Sequence, residues 1–528
     1  MRISPSGHNA TSAPGRLLAL AAALTLAVTG CGMLPVQQSA APPTTSAPAS
    51  DAPTSDAPAS DAPATTPAAG QDDRPALAEV RSTMTEHLKV EVVGLNRVKG
   101  KHLVAQIRLS NTGTEDLPWT GQLGDHTRKL GEIRWASGIG VLDTQDRAWL
   151  LPYQPQHAPC LCSDQKRDNL GYFIAPGQSI GVYAVLPAPA GNPATATIVT
   201  PVGPPMPNVP ISDEPPTGDF PDPDAEPVTP VVRRLVLPSE SLDKSEETAD
   251  DGKNLQVSLS SDVLFAIDEA TLTPRARSVL AATAKLIDAS PASVVAVAGH
   301  ADSSGNDAIN DPLSLRRARA VQRALASLLS RQGVSFQAKG YGSRRPLYSN
   351  DSEEGRRRNR RVTVTFSRPQ QAAAEPAATT SPGATGLTAT TDAGGSPMAL
   401  KVTGLRRLSG GLGLLTYTVT NQGTAETWFN DLHHAQDWEA YKYQAASNVR
   451  LTDVAARRQY LPGRLQVPTD DGVDSYCACT DVSGVRSATS KFAPGQTREF
   501  WSLFALPSTA ETLKVAVGPF RALQVPVR

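Results

Sequence analysis

Cysteine is scarce in this sequence, and the scarcity sets limits. Five cysteines stand among 528 residues. Cys31 is alone, and the other four form two Cys-x-Cys pairs, Cys160/Cys162 and Cys477/Cys479. A metal site at either pair would need more ligands; His157 is the one obvious addition, and the second pair has no equivalent histidine. Aromatic residues are few, too few among the arginine clusters for a row of stacking partners, which argues against single-strand nucleic-acid binding by base stacking. The formal net charge of −1 points to no charged partner by itself. The apolar run Leu17 to Val28 is too short to span a bilayer.

What is abundant is proline, 45 residues, above the usual share of about 5%. The prolines collect in stretches that cannot build a core. The segment from Ser39 to Asp73 repeats Ala, Pro, Ser and Asp and reads as a disordered tether. Such a coil spans roughly 30 Å, and roughly 100 Å when extended. Residues 203–250 read as an acidic, Pro-rich linker and 369–396 as an Ala/Thr/Pro/Gly linker.

The N-terminus reads as an export signal: Arg2 and Arg16, then the apolar run, then Val28-Thr29-Gly30-Cys31. These last four residues resemble a bacterial lipobox, which implies cleavage before Cys31 and acylation of its thiol. The competing reading is an ordinary secretory signal with Cys31 a leftover thiol. With the lipobox, residues 1–30 are the signal peptide and 31–85 the tether. The lipid anchor is then extracytoplasmic, with the cytoplasmic membrane favoured and palmitate among the expected acyl groups.

Two segments look like copies of each other. VGLNRV at 93–98 aligns with TGLRRL at 403–408, and IRLSNTGTEDLPW at 107–119 with YTVTNQGTAETWF at 417–429. CLC at 160–162 aligns with CAC at 477–479, and IAPGQ at 174–178 with FAPGQ at 492–496. Alternating apolar residues and Gly turns predict strands, and each copy, 86–202 and 397–528, is expected to be an immunoglobulin-like β-sandwich.

The middle segment, 251–368, differs. Leu255 to Phe265 alternates like a strand, and Thr273-Pro274 and Asp311-Pro312 each read as the start of a helix. Val294 to Ala298, Val334 to Gly340 and Arg361 to Phe366 read as further strands. Charge is uneven here. Residues 203–251 carry 12 acidic and 3 basic side chains, whereas 299–366 carry 13 basic and 6 acidic ones. An acidic linker beside a basic domain face fits this, and so does a polyanion-binding face.

Four blocks carry a resemblance: GHADSSG at 299–305, NDPLSLRRA at 310–318, GYGSRRP at 340–346 and GRRRNRRV at 355–362. In this order they resemble the OmpA-like peptidoglycan-binding module, over about a fifth of the chain. The resemblance implies a central βαβαβ-type α/β sandwich, so the expected class is α+β with two flanking sandwiches and disordered linkers. It implies a binding protein and no enzyme, with no cofactor, no metal and no nucleic acid. Its ligand would be the diaminopimelate of the stem peptide. Asp302 would take the ammonium and Arg317 the carboxylate, with Asn310, Ala301, Ser303 and Arg361 completing the site and Arg360 or Arg361 buttressing it. His300, without a nucleophile or base beside it, reads as structural.

Three readings of the Cys-x-Cys pairs stay open: local disulfides, bridges between copies or to a partner, and a thiolate metal or redox site. They leave two further functions, an exported thiol–disulfide oxidoreductase and an assembly factor whose sandwiches recruit a secreted partner.

Overall fold

The structure is a computed structural model. It describes residues 73–528 except 120–121, 126, 128–133, 370–386, 394, 434–440, 442–444, 470–471 and 481–490. The export signal, Cys31 and almost all of the tether lie outside the described residues.

The chain is mostly β, 46% strand and 13% helix, which overturns the expected α+β class. In the first sandwich an antiparallel sheet joins Ala78–Arg81, Leu88–Val98, His102–Asn111 and Ser179–Pro187. A second layer joins Gly203–Pro210, Thr195–Thr200, Gly140–Asp143 and Ala148–Pro155. Alternation makes the core: Leu88, Val90 and Val92 point inward and pack with Ile107, Val182 and Ile198. The C-terminal sandwich repeats the plan, with Leu387–Ala393, Ser396–Leu408, Leu412–Asn421 and Thr497–Ala505 in one sheet.

The two copies match in detail. A bulge interrupts the first hairpin between Val92 and Gly94, and another between Val402 and Gly404. Asn111 Nδ2 donates to the carbonyls of Glu115 and Ile174, while its Oδ1 accepts from Gly113 N. Asn421 makes the same three bonds to Ala425, Phe492 and Gly423. The Asn-x-Gly pattern is thus a buried turn lock, satisfying backbone groups that the end of a strand leaves open.

The stretch read as an acidic linker is built differently from that expectation. Residues 203–250 carry three strands, Gly203–Pro210, Val228–Ser241 and Glu246–Asp250. Val228–Ser241 is a spine. It pairs with Ala148–Pro155 of the first sandwich, with Arg464–Thr469 and Arg458–Tyr460 of the second, and with Glu246–Asp250. Its Leu235 and Leu237 enter an apolar cluster with Trp149 and Leu151 from one copy and Leu412, Trp501 and Leu503 from the other. The acids at the C-terminal end of the stretch are neutralised rather than solvated: Glu246 pairs with Arg458 at 2.6 Å, and Glu240 with Arg358 at 2.5 Å. Composition registers the acids and prolines but not the cations that meet them after folding. Leu387–Ala393 likewise lies within the stretch read as the 369–396 linker.

Four helices follow: α1 (Ser261–Leu264), α2 (Ala276–Asp288), α3 (Asp307–Leu328) and α4 (Glu353–Asn359). The expected self-contained βαβαβ sandwich is not what they sit on. Its local strand order is Glu246–Asp250, Asn254–Ser260, Arg361–Ser367, Val294–Gly299, Ser335–Gly340. Only the last two pair in parallel, and Arg361–Ser367 inserts antiparallel between the first and second predicted strands. The sheet then runs on through Glu246–Asp250 into the spine. Periodicity marks a strand but does not name its neighbours.

Helix α3 also starts earlier than Asp311-Pro312 suggests. Asn306 is the cap, its side chain accepting from Ile309 N at 3.1 Å, and Pro312 lies inside the helix.

Candidate functional site

Two glycines at neighbouring strand ends seat α3. A Cβ on Gly299 would lie 2.0 Å from the carbonyl oxygen of Ser314, and one on Gly340 2.5 Å from the amide nitrogen of Leu315. The helix therefore lies directly on the ends of the parallel pair, and Leu313, Ser314, Arg317 and Ala318 are buried there. Asp302 leaves the Val294–Gly299 strand on the loop that faces this helix start.

Asp302 is buried, at 6% exposure. Its Oδ1 accepts from Ser304 N at 2.9 Å, and its Oδ2 accepts from Arg360 Nη1 at 2.7 Å. Arg360 also reaches Asp262 at 2.9 Å and Glu353 at 3.1 Å. Its guanidinium is held firmly charged, first by the Asp262 hydrogen bond and then by Asp302.

Arg317 is buried too, at 9% exposure. Its Nε donates to the carbonyl of Glu269 at 2.8 Å, and its guanidinium lies 5.2 Å from the centre of the Phe265 ring. Among the described residues no other hydrogen bond engages it. Burial lowers its pKa, against the opposing charges of Asp262 and Asp268. The structure therefore brings Asp302 and Arg317 to one region without joining them; Asp262 and Arg360 both act on the Arg317 charge.

The other predicted residues divide. Asn310 Nδ2 donates to the Ser304 carbonyl at 2.8 Å and so braces the Asp302 loop. Ala301 N donates to Gly342 O, and Ser303 N to Asn350 Oδ1. Arg361 does not face Asp302. It is buried and donates to the carbonyls of Asn359 and Arg345, and burial lowers its pKa to about 10. Arg360 is the member of the pair that meets Asp302. Sequence reasoning missed Asp262 and Glu353, whose carboxylates hold Arg360, because nothing in their spacing couples them to it. His300 stacks on Tyr341 at 5.4 Å, and burial, reinforced by Arg361 and Arg345, pushes its pKa down to about 3. The imidazole is neutral at physiological pH.

The rest of the arginine block is structural. Arg358 is buried against Glu240 at 2.5 Å, Glu247 at 2.9 Å and Glu354 at 3.1 Å. Tyr348 donates to Glu247, and Arg464 of the C-terminal sandwich lies 5.8 Å from the Tyr348 ring. Asn359, fully buried, accepts from the amides of Leu347 and Tyr348. This block ties the segment to the spine and to the second sandwich.

Each Cys-x-Cys pair is buried, with Cα atoms 5.3 Å apart in the first and 5.2 Å in the second. Among the described residues no group of three or more His, Cys, Asp or Glu could hold a metal ion.

Comparison with known proteins adds a family. Residues 264–360 match the model of the OmpA family. The probable lipoprotein YiaD of Escherichia coli is 35% identical over 119 residues, 22% of this chain and 52% of that protein. Outer membrane porin F of Pseudomonas aeruginosa is 38% identical over 19% of this chain and 29% of its own length. The peptidoglycan-binding protein ArfA of Mycobacterium tuberculosis is 36% identical over 19% of this chain and 31% of its own. The chain thus spans about half the length of the first of these relatives and about a third of the others. Among solved structures, the cell wall anchor of the T6SS from Pseudomonas aeruginosa is 28% identical, covering 24% of this chain and 90% of that one, with a TM-score of 0.22. Four sequence blocks, the loop–helix geometry they build and the family match coincide on one stretch: residues 264–360 are an OmpA-family domain.

Proposed function

We propose that this chain is a cell-envelope lipoprotein that grips peptidoglycan non-covalently through the diaminopimelate of the stem peptide. The observation that carries the reading is Arg317, a buried guanidinium with one hydrogen bond, near the buried carboxylate of Asp302. A buried cation with donors to spare favours an anion, and its planar fork matches a carboxylate. The ligand's ammonium would meet Asp302 Oδ2 in competition with Arg360, while the loop braced by Asn310 supplies main-chain groups. The printed name of the mycobacterial relative, a peptidoglycan-binding protein, supports the same class of ligand.

In this reading Cys31 carries the lipid on the extracytoplasmic face of the cytoplasmic membrane. The two sandwiches present surfaces to a secreted partner, and each Cys-x-Cys pair closes a local disulfide. Both pairs are buried, which disfavours thiol exchange with an outside substrate. The test is sedimentation of the purified chain with isolated cell wall. Wild type should pellet, whereas Asp302→Ala and Arg317→Ala should stay in the supernatant while still unfolding cooperatively above the assay temperature. Pelleting of both variants at the wild-type level would refute the proposal.

A further inference from the structure

Helix α3 presents a second charged surface that the stem-peptide site does not use. Arg316, Arg319 and Arg323 are all exposed. At 3.6 residues per turn they fall within about 60° of arc and extend over about 10 Å of helix. None has an ion-pair or hydrogen-bond partner among the described residues. The two acids of the helix do not serve them: Asp307 lies on the opposite side, and Asp311 pairs with Arg344. The remaining side chains along the stripe are Ile309, Pro312, Ala326 and Ser327.

Like charges three and four residues apart on a helix repel and lower its stability. Three such arginines with no internal counter-charge are therefore a local cost, which a bound anion would remove. The neighbouring α4 shows the contrast. There Arg356 and Arg357 each pair with a glutamate three residues back, at 3.0 Å and 2.8 Å. The stripe begins at Arg316, one residue before the buried Arg317.

We infer that the solvent face of α3 binds a linear polyanion of the phosphodiester class, alongside the stem peptide. Charge complementarity argues for the polymer: several fixed cations in a row fit several regularly spaced anions. The absence of an aromatic side chain on the stripe disfavours single-stranded nucleic acid, whose bases would want stacking partners. The inference rests on the proposed wall-facing function for its setting but not for its test.

The experiment titrates the full chain separately with poly(glycerol phosphate) and with free diaminopimelate. The triple variant Arg316→Gln, Arg319→Gln, Arg323→Gln keeps helix propensity. It should bind the polymer about tenfold more weakly than wild type, with affinity for diaminopimelate unchanged. Wild-type binding to the polymer should weaken steeply with added salt, and a triple Arg→Lys variant should recover most of it. Equal polymer binding by wild type and the Gln variant would overturn the inference. So would no polymer binding by wild type, or equally tight binding to phosphatidylglycerol vesicles or to single-stranded DNA. Absence of diaminopimelate binding by wild type, with polymer binding intact and lost in the Gln variant, would sink the stem-peptide reading alone and leave this one standing.

Discussion

Arg360 donates from Nη1 to Oδ2 of Asp302 at 2.7 Å, and the same guanidinium holds Asp262 and Glu353. Three carboxylates from three segments converge on one cation. Removing it would leave a buried acid without its counter-charge. Arg360→Gln should therefore lower stability by about 2 kcal/mol, less than for a fully buried pair because Arg360 is partly exposed. Urea unfolding of the two proteins at neutral pH measures this, and coincident curves would contradict it.

His300 gives a pH dependence with a definite sign. Its folded pKa is about 3, far below the ordinary value near 6.5. The native state therefore favours the neutral ring, and this contribution is fully present above about pH 6.5 and is lost as the pH falls toward 3. The loss runs up to about 1.4 kcal/mol per pH unit in that window. His300→Gln should lose less stability than wild type between pH 7 and pH 4.5, measured as the shift in melting temperature of each protein. Parallel shifts would show that the ring is not held neutral.

The spine strand makes a prediction about cooperativity. Leu235 is fully buried in the cluster shared by both sandwiches. Leu235→Asp would bury a charge there, and its cost should exceed about 3 kcal/mol. Hydrogen exchange in wild type should show slow amides across 231–241, where each partner strand takes over from the last and Arg234, Ser239 and Glu240 pair on both sides. Exchange at the rate of an open chain would return this stretch to the linker that its composition suggests.

The cysteine pairs should behave as local bonds. Intact-mass and peptide analysis without reduction should find Cys160 joined to Cys162 and Cys477 to Cys479. Replacing one pair by serine should cost about 1.5 kcal/mol, the small value appropriate to so short a ring. Free thiols, or a peptide linking the two copies, would rule this out.

What the sequence made legible follows from local signals. The four blocks marked the OmpA-family stretch because each encodes a local requirement, such as a glycine under a helix or an asparagine bracing a loop. The duplication was readable because Asn111 and Asn421 make the same turn lock. The spine was not readable. Val228–Ser241 is stabilised by strands that lie far away in sequence, and its prolines and neighbouring acids imitate an open linker. The mainly β class was missed for the same reason, since strands in expected linkers went uncounted. Arg360 and Arg361 stand side by side in one motif, and only the backbone direction after α4 decides that the first meets Asp302 and the second turns inward.

The most direct measurement is calorimetric titration of the purified chain with a diaminopimelate-containing stem peptide, beside Arg317→Ala. Wild type should bind saturably, and the variant should lose about tenfold or more in affinity, the scale of a charge-assisted hydrogen bond. No heat of binding from a folded wild-type chain, or equal affinity in Arg317→Ala, would contradict this.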